Sequence, residues 1–228
     1  MKKVIVVFVA LMSVCSAKAE EFSVGADIVS SYLWRGQYLG GASIQPGLGF
    51  SVAGFSIDAW GSVDLANLTN VKEFDLTVGY KVAGLFLAIT DYWIAPQGNY
   101  KYFTYSKDKG TAHTFEASLG YTLPESFPLS LSWNTNFAGY DAVNAEGDAL
   151  YSTYAEASYP FSVKDIALEG VLGVTPWKGI YANGFSVVNI SLKGTKDIKI
   201  ADYTLPVFVQ LVLNPNKEDA SLVFGVSF

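Results

Sequence analysis

Apolar and polar residues alternate with period two along nearly the whole chain, the signature of strands that bury one face only. In SVGADIVSSYLW, Val24, Ala26, Ile28, Tyr32 and Trp34 are apolar, and Ser23, Gly25, Asp27 and Ser31 fall between them. The same register runs through ASIQPGLGFSV, FSIDAWGSVDL, EFDLTVGYKV, TFEASLGYTL, LSLSWNTNF and YSTYAEASYPF. Less regular strands cover roughly 85–95, 166–176, 185–194 and 205–213, and ASLVFGVSF ends the chain with Leu222, Phe224, Val226 and Phe228 on one face. The pattern predicts about twelve strands and no amphipathic helix. Pro46 conflicts with its strand, because proline cannot donate to a ladder, and predicts a bulge or a one-residue shift there.

The links between strands fall into two kinds. Ala53-Gly54, Ala83-Gly84, PESFP from Pro124 and SVKD from Ser162 are tight, although the 194–204 link reads as longer. Between them lie GQYLGG, ANLTNV, residues 96–112, DAVNAEGDAL, WKGIYANG and NPNKED. Short turns at one end, loops at the other and both termini on the short-turn side describe an outer-membrane barrel. Strands of about ten residues suit a tilted crossing of a bilayer, and closure leaves no edge unpaired in lipid.

A soluble β-sandwich also alternates. Three features favour the barrel: the strands are long, the polar face is small and uncharged for much of its length, and aromatics gather near strand ends. Tyr32, Trp34, Phe137 and Tyr151 predict one aromatic belt; Phe50, Phe55, Tyr80, Tyr121, Tyr159 and Phe161 predict the other. The predicted fold is all-β, a transmembrane antiparallel β-barrel of about twelve strands with short periplasmic turns and longer extracellular loops.

The N-terminus changes the picture next. Lys2 and Lys3, the apolar run Val4 to Val14 and the site Ala17-Lys18-Ala19 read as a secretory signal peptide over residues 1–19, leaving residues 20–228 as one barrel domain. Val14 before Cys15 argues against a lipoprotein. Beyond residue 19 no cysteine remains, so no disulfide framework is expected. Twelve basic residues against 21 acidic ones leave this part at −9 with the single histidine neutral, which argues against a nucleic-acid partner. The expected location is the outer membrane of a Gram-negative bacterium, with its lipids as partners.

The terminal Phe228, after alternating Leu222, Phe224 and Val226, looks like the strand by which barrel-assembly machinery recognises outer-membrane barrels. SSYLWRG, Ser30 to Gly36, resembles the S-x-Y-x-[FW]-R-G stretch of the TorF-type porin family of small outer-membrane proteins. The resemblance implies an outer-membrane location and a channel role, without naming a solute.

Opposite the apolar positions lie Asp27, Arg35, Gln45, Asp58, Trp60, Asp64, Asp75, Lys81, Glu116, Asn134, Asn136, Tyr140, Tyr154, Glu156, Glu169, Asn189 and Lys193. Carboxylates outnumber basic groups among them, so the predicted lumen prefers cations and passes small hydrophilic solutes. Asp27, Arg35, Asp58, Trp60, Asp64, Asp75, Lys81, Glu116, Glu156, Glu169 and Lys193 are the expected pore-lining set. A second reading is a structural or surface-binding barrel whose carboxylates pair internally and close the lumen. Arg35, the chain's one arginine, is expected at the rim of the first outer loop, its fork pairing with inward carboxylates or loop carbonyls.

No enzyme is expected. His113 reads as an exposed residue at a strand start, with Thr114 and Phe115 where an outward serine would have to follow, and no catalytic motif or cofactor site is present. GNYKYFTYSKDKG reads as an outward strand extension and loop whose Tyr100, Tyr102 and Tyr105 constrict the pore or bind solute. Asp141, Asn144, Glu146 and Asp148 offer oxygens but lack the D-x-D-x-D-G order of a calcium loop.

Overall fold

Twelve antiparallel strands close on themselves, and two short ones stand apart inside the ring. A computed structural model describes residues 20–67, 72–95, 101–106 and 110–228; the expected signal peptide lies outside these. The strands are β1 (Glu21–Val29), β2 (Tyr32–Trp34), β3 (Gln37–Gly40), β4 (Ser43–Val52), β5 (Phe55–Asp64), β6 (Lys72–Val82) and β7 (Leu85–Ala95). After them come β8 (His113–Thr122), β9 (Ser130–Gly139), β10 (Thr153–Val163), β11 (Ile166–Thr175), β12 (Ser186–Ile200), β13 (Tyr203–Asn214) and β14 (Asp219–Ser227). No helix occurs among the described residues. The wall runs from β4 through β14 in chain order, and β1 closes it between β14 and β4.

Alternation sets which side of the wall each residue takes. Val24, Leu48, Ile57, Val78, Ile89, Leu119, Leu172 and Leu222 point out and are exposed, Val24 at 84%. Inward positions are polar or small and buried, among them Ser43, Ser62, Asn134, Asn136 and Ser191. An apolar exterior around a polar interior inverts the arrangement of a water-soluble domain. At the short-turn end, Phe22 packs on Phe50, Phe55 on Tyr80, and Phe127 and Phe161 on Tyr159.

Ala53-Gly54 and Ala83-Gly84 are two-residue hairpins with φ of 52° and 89°, and 47° and 85°, the left-handed pairs that match strand twist. The 194–204 link is equally tight, correcting the sequence expectation. β12 continues to Ile200 and turns through Ala201-Asp202 into β13. Pro46 causes neither a bulge nor a shift: Ile44 faces Val63 and Gly47 faces Trp60 in one unbroken register, and the ladder omits only Gln45 and Pro46.

The largest departure from the sequence reading is at the start of the chain. β1 stops at Val29, the backbone bends at Ser30-Ser31, and β2–β3 returns as a hairpin inside the barrel. β1 therefore pairs with β14 through Asp27, Ile28 and Val29, with Ala26 and Phe228 exchanging backbone hydrogen bonds before them, the shortest seam in the wall. Beyond it, the Ser30 N–H donates to the Phe224 carbonyl, and Ser30 Oγ accepts the Phe224 N–H at 2.9 Å in place of a missing strand partner. Tyr32 and Trp34, expected in an outer belt, are turned into the lumen. The period-two count continues through them, although the strand does not.

Candidate functional site

The hairpin's tip is Arg35-Gly36, with φ of 50° and 76°, a type I′ turn between Trp34 and Gln37. Gly36 is required twice. Its φ disfavours a side chain, and a Cβ would run into the Val188 carbonyl of β12. That contact exists because the β11–β12 register shifts at Gly173/Val174, leaving Val188 unpaired beside Asn189, with both buried. The Asn214 side-chain amide donates to the Gly36 carbonyl at 2.9 Å, and Lys217 Nζ donates to Gln37 Oε1 at 3.0 Å.

Arg35 crosses the lumen to Glu116 on β8. Its two terminal nitrogens meet the two carboxylate oxygens at 2.5 and 2.8 Å, and one also donates to the Tyr181 hydroxyl at 2.6 Å. Glu116 is fully buried and takes a further bond from the Tyr92 hydroxyl at 3.1 Å. The guanidinium lies 4.3 Å from the Trp34 ring centroid and 4.8 Å from that of Tyr154. Burial alone would lower the Arg35 pKa. The Tyr181 hydroxyl and the Glu116 carboxylate overcome that and hold it well above its ordinary value. Burial, which outweighs the neighbouring arginine, pushes the Tyr181 hydroxyl up to about 12.

Tyr154, Tyr181, Ala182 and Val188 form a buried cluster against which Trp34 packs. Tyr32 lies against Trp60, 5.5 Å between centroids, and its hydroxyl donates to Glu73. Leu33 packs on Val29, Phe208 and Val223. The hairpin thus touches inward side chains around most of the ring and fills the long-loop half of the lumen.

The expected pore-lining residues all take inward positions, but they do different things. Asp27, Trp60, Asp75 and Lys193 line a cavity of about 300 Å³ beneath the hairpin, together with Gln45, Gln210, Tyr32 and Trp34. Arg35 and Glu116 are consumed by each other. Asp64 caps its loop, accepting the Ala66, Asn67 and Gly41 N–H groups at 2.9, 3.0 and 3.2 Å. Glu156 accepts the Tyr154 hydroxyl. Asp58, Lys81 and Glu169 stand toward the short-turn end, where Gly49, Ser56, Gly79 and Ser132 leave the interior lined by small groups. Glu169 lies directly across from Lys193 in register.

Tyr92, Tyr181 and Glu73 were not among the residues singled out. Glu73 shares the inward parity of Asp75 and was findable by counting. Tyr181 sits in a loop and carried no periodic signal.

The segment 101–106 corrects the expected constriction. It is not a strand extension and does not enter the lumen; it lies on the outer wall. Tyr102 packs on Phe74, Trp93 and His113, with centroids 5.8, 5.4 and 5.0 Å apart, and Tyr105 stacks on His113 at 4.1 Å. Phe74, Trp93 and His113 are cross-strand neighbours on the outward face. Tyr100 lies outside the described residues. His113, expected to be exposed, is fully buried under this strap, with Nδ1 2.8 Å from Asp91 and Nε2 against the Tyr102 carbonyl.

The loop carrying Asp141, Asn144, Glu146 and Asp148 spends its oxygens internally. Asn144 Oδ1 accepts the Glu146 and Asp148 N–H groups, and Asp141 accepts that of Ser152. Among the described residues, no group of three or more acidic, histidine or cysteine side chains is arranged to hold a metal. No protein-family model matches the chain, and no curated protein matches it.

Proposed function

We propose that this barrel is an outer-membrane channel for small hydrophilic solutes, with a mild preference for cations and a conductance set by the β2–β3 hairpin. The observation that carries the reading is the inverted polarity of the wall, apolar outside and polar inside, around an interior of small side chains that narrows onto one luminal hairpin. The unpaired carboxylates of the interior outnumber its lysines, which favours cations.

The resemblance of SSYLWRG to the TorF-type porins supports the same reading, and here that stretch is the hairpin itself. The residues of this stretch have separate tasks in this chain: Tyr32 and Trp34 fill the lumen, Arg35 locks to the far wall, and Gly36 permits the turn.

Single-channel recording in planar bilayers tests the proposal. The full protein should give small, uniform steps in potassium chloride, and replacing residues 31–42 by a two-residue turn should give much larger ones. Silence from the full protein, shown to be folded, would overturn it. A second reading, a closed structural or surface-binding barrel, is favoured by the depth of the Arg35–Glu116 contact. It predicts silence from the full protein and steps only after the hairpin is removed.

A further inference from the structure

Beneath the hairpin, the cavity of about 300 Å³ carries an imbalance that the fold does not resolve. Asp75 is 7% exposed and lines this cavity, and its Oδ1 has no hydrogen-bond partner. Glu73 precedes it at two-residue spacing on the same inward face of β6, so two carboxylates stand side by side. Tyr32 donates to Glu73, and nothing comparable reaches Asp75 Oδ1. Asp27 lines the same space from β1. The one basic side chain there, Lys193, lies over the Phe208 ring at 4.0 Å.

A buried carboxylate with a free oxygen and like-charged neighbours is costly unless something positive comes to it. The other walls of the cavity say what kind of cation fits. Tyr32, Trp34 and Trp60 supply aromatic surface, and Val29, Leu33, Phe208 and Val223 supply an apolar patch. Aromatic rings beside carboxylates attract an ammonium group, whereas an apolar patch gives nothing to a hydrated metal ion. The volume is at the lower end for small-molecule sites.

We propose that this cavity binds a small organic ammonium compound, its cationic group at Asp75 and Asp27 against Trp60 and its apolar body on Val29, Leu33, Phe208 and Val223. The inference rests on the lumen being a solute path and names the class of solute that path holds. Lys193 and Gln210 form the opposite pole. They leave two sources for the ammonium group, a simple amine or an amino acid whose carboxylate reaches Lys193.

Calorimetric titration of the full protein in neutral detergent tests this without a bilayer, so its outcome is independent of any conductance. The probes are phenethylamine, phenylalanine and 3-phenylpropionate at constant ionic strength. Phenethylamine should bind saturably and 3-phenylpropionate should not. Asp75→Asn should weaken the amine at least tenfold while leaving the barrel as heat-resistant as before or more so, because the substitution removes a like charge beside Glu73. Trp60→Leu, shown folded by its mobility in unheated gels, should weaken binding several-fold. Lys193→Gln weakening phenylalanine but not phenethylamine assigns the site to amino acids, and unchanged binding of both probes by that variant assigns it to amines. No saturable binding of either ammonium probe, unchanged binding in Asp75→Asn, or displacement by sodium as effective as by the amine would overturn the proposal.

Discussion

Arg35 and Glu116 are 81 residues apart in sequence and meet through two parallel hydrogen bonds inside the barrel, joining the tip of a luminal hairpin to the opposite wall. Glu116 sits where the β8–β9 register shifts and Phe137 is left unpaired. Bulges re-aim side chains. Here one bulge turns Glu116 toward the fork, and another, at Val188, makes the surface against which Gly36 closes. The only arginine of the chain is therefore a latch between two irregularities of the wall.

Replacing Arg35 with alanine leaves Glu116 buried and unpaired, which costs roughly 3–5 kcal/mol of stability. Lysine keeps the charge but not the fork, so Arg35→Lys should fall between alanine and the native protein. Urea unfolding followed by tryptophan fluorescence measures the cost. In bilayers, both variants should show larger or noisier steps than the native protein, with alanine the more affected. A loss of stability with unchanged steps would mean that the latch does not hold the hairpin in the conducting path.

Gly36→Ala should release the same hairpin from the other side. A side chain there meets the Val188 carbonyl and the turn disfavours it, so the tip must shift even though Arg35 is intact. Substitutions that undo one unit are not additive. The double variant Arg35→Ala/Gly36→Ala should lose distinctly less stability than the sum of the two singles, measured by the same unfolding curves. Strict additivity would show that the turn and the latch act on different parts of the structure.

The fold was legible because alternation over ten residues survives local irregularity. Phe74, Leu76, Val78 and Tyr80 declare the outward face of β6, and Glu73 and Asp75 then face inward by parity alone. The hairpin was not legible, for a physical reason. Tyr32 and Trp34 keep the numerical phase of Val24 and Ile28, and periodicity does not register that the chain bends at Ser30-Ser31 and changes which side it faces. The Arg35-Gly36 turn was the available clue, since a residue pair ending in glycine is compatible with a type I′ hairpin. Tyr102 and Tyr105 misled in the opposite sense. Their place on the outer wall depends on His113 and Asp91, whose pairing is a cross-strand relationship that no local pattern contains.

That outer pair supports a separate prediction. Asp91 and His113 face outward at a height where the wall is otherwise apolar, and the Tyr102–Tyr105 strap covers them. Tyr105→Ala removes the ring stacked on the imidazole and uncovers a polar pair, which should destabilise the barrel by roughly 1–3 kcal/mol. Conductance and ion selectivity should be unchanged, because the strap is outside the lumen. An altered step size in Tyr105→Ala would instead place this segment in the conducting path.

Ion selectivity offers the sharpest check on how the inner charges are divided. Arg35 and Glu116 neutralise each other and Asp64 is held by loop N–H groups, so the field along the path falls to Asp27, Asp58, Glu73, Asp75, Glu156 and Glu169 against Lys81 and Lys193. That balance is negative and sits in a narrow, partly desolvated space, where fixed charge acts strongly on mobile ions. Under a potassium chloride gradient the reversal potential should therefore show cation preference. Lys193→Glu should increase that preference, and Asp27→Asn with Asp75→Asn should reduce it toward none. Replacing the pair together, Arg35→Ala with Glu116→Gln, should shift it much less than Lys193→Glu, because the latch as a unit contributes almost no net charge. Anion selectivity in the native protein would contradict both the acidic-lumen reading and this division of roles.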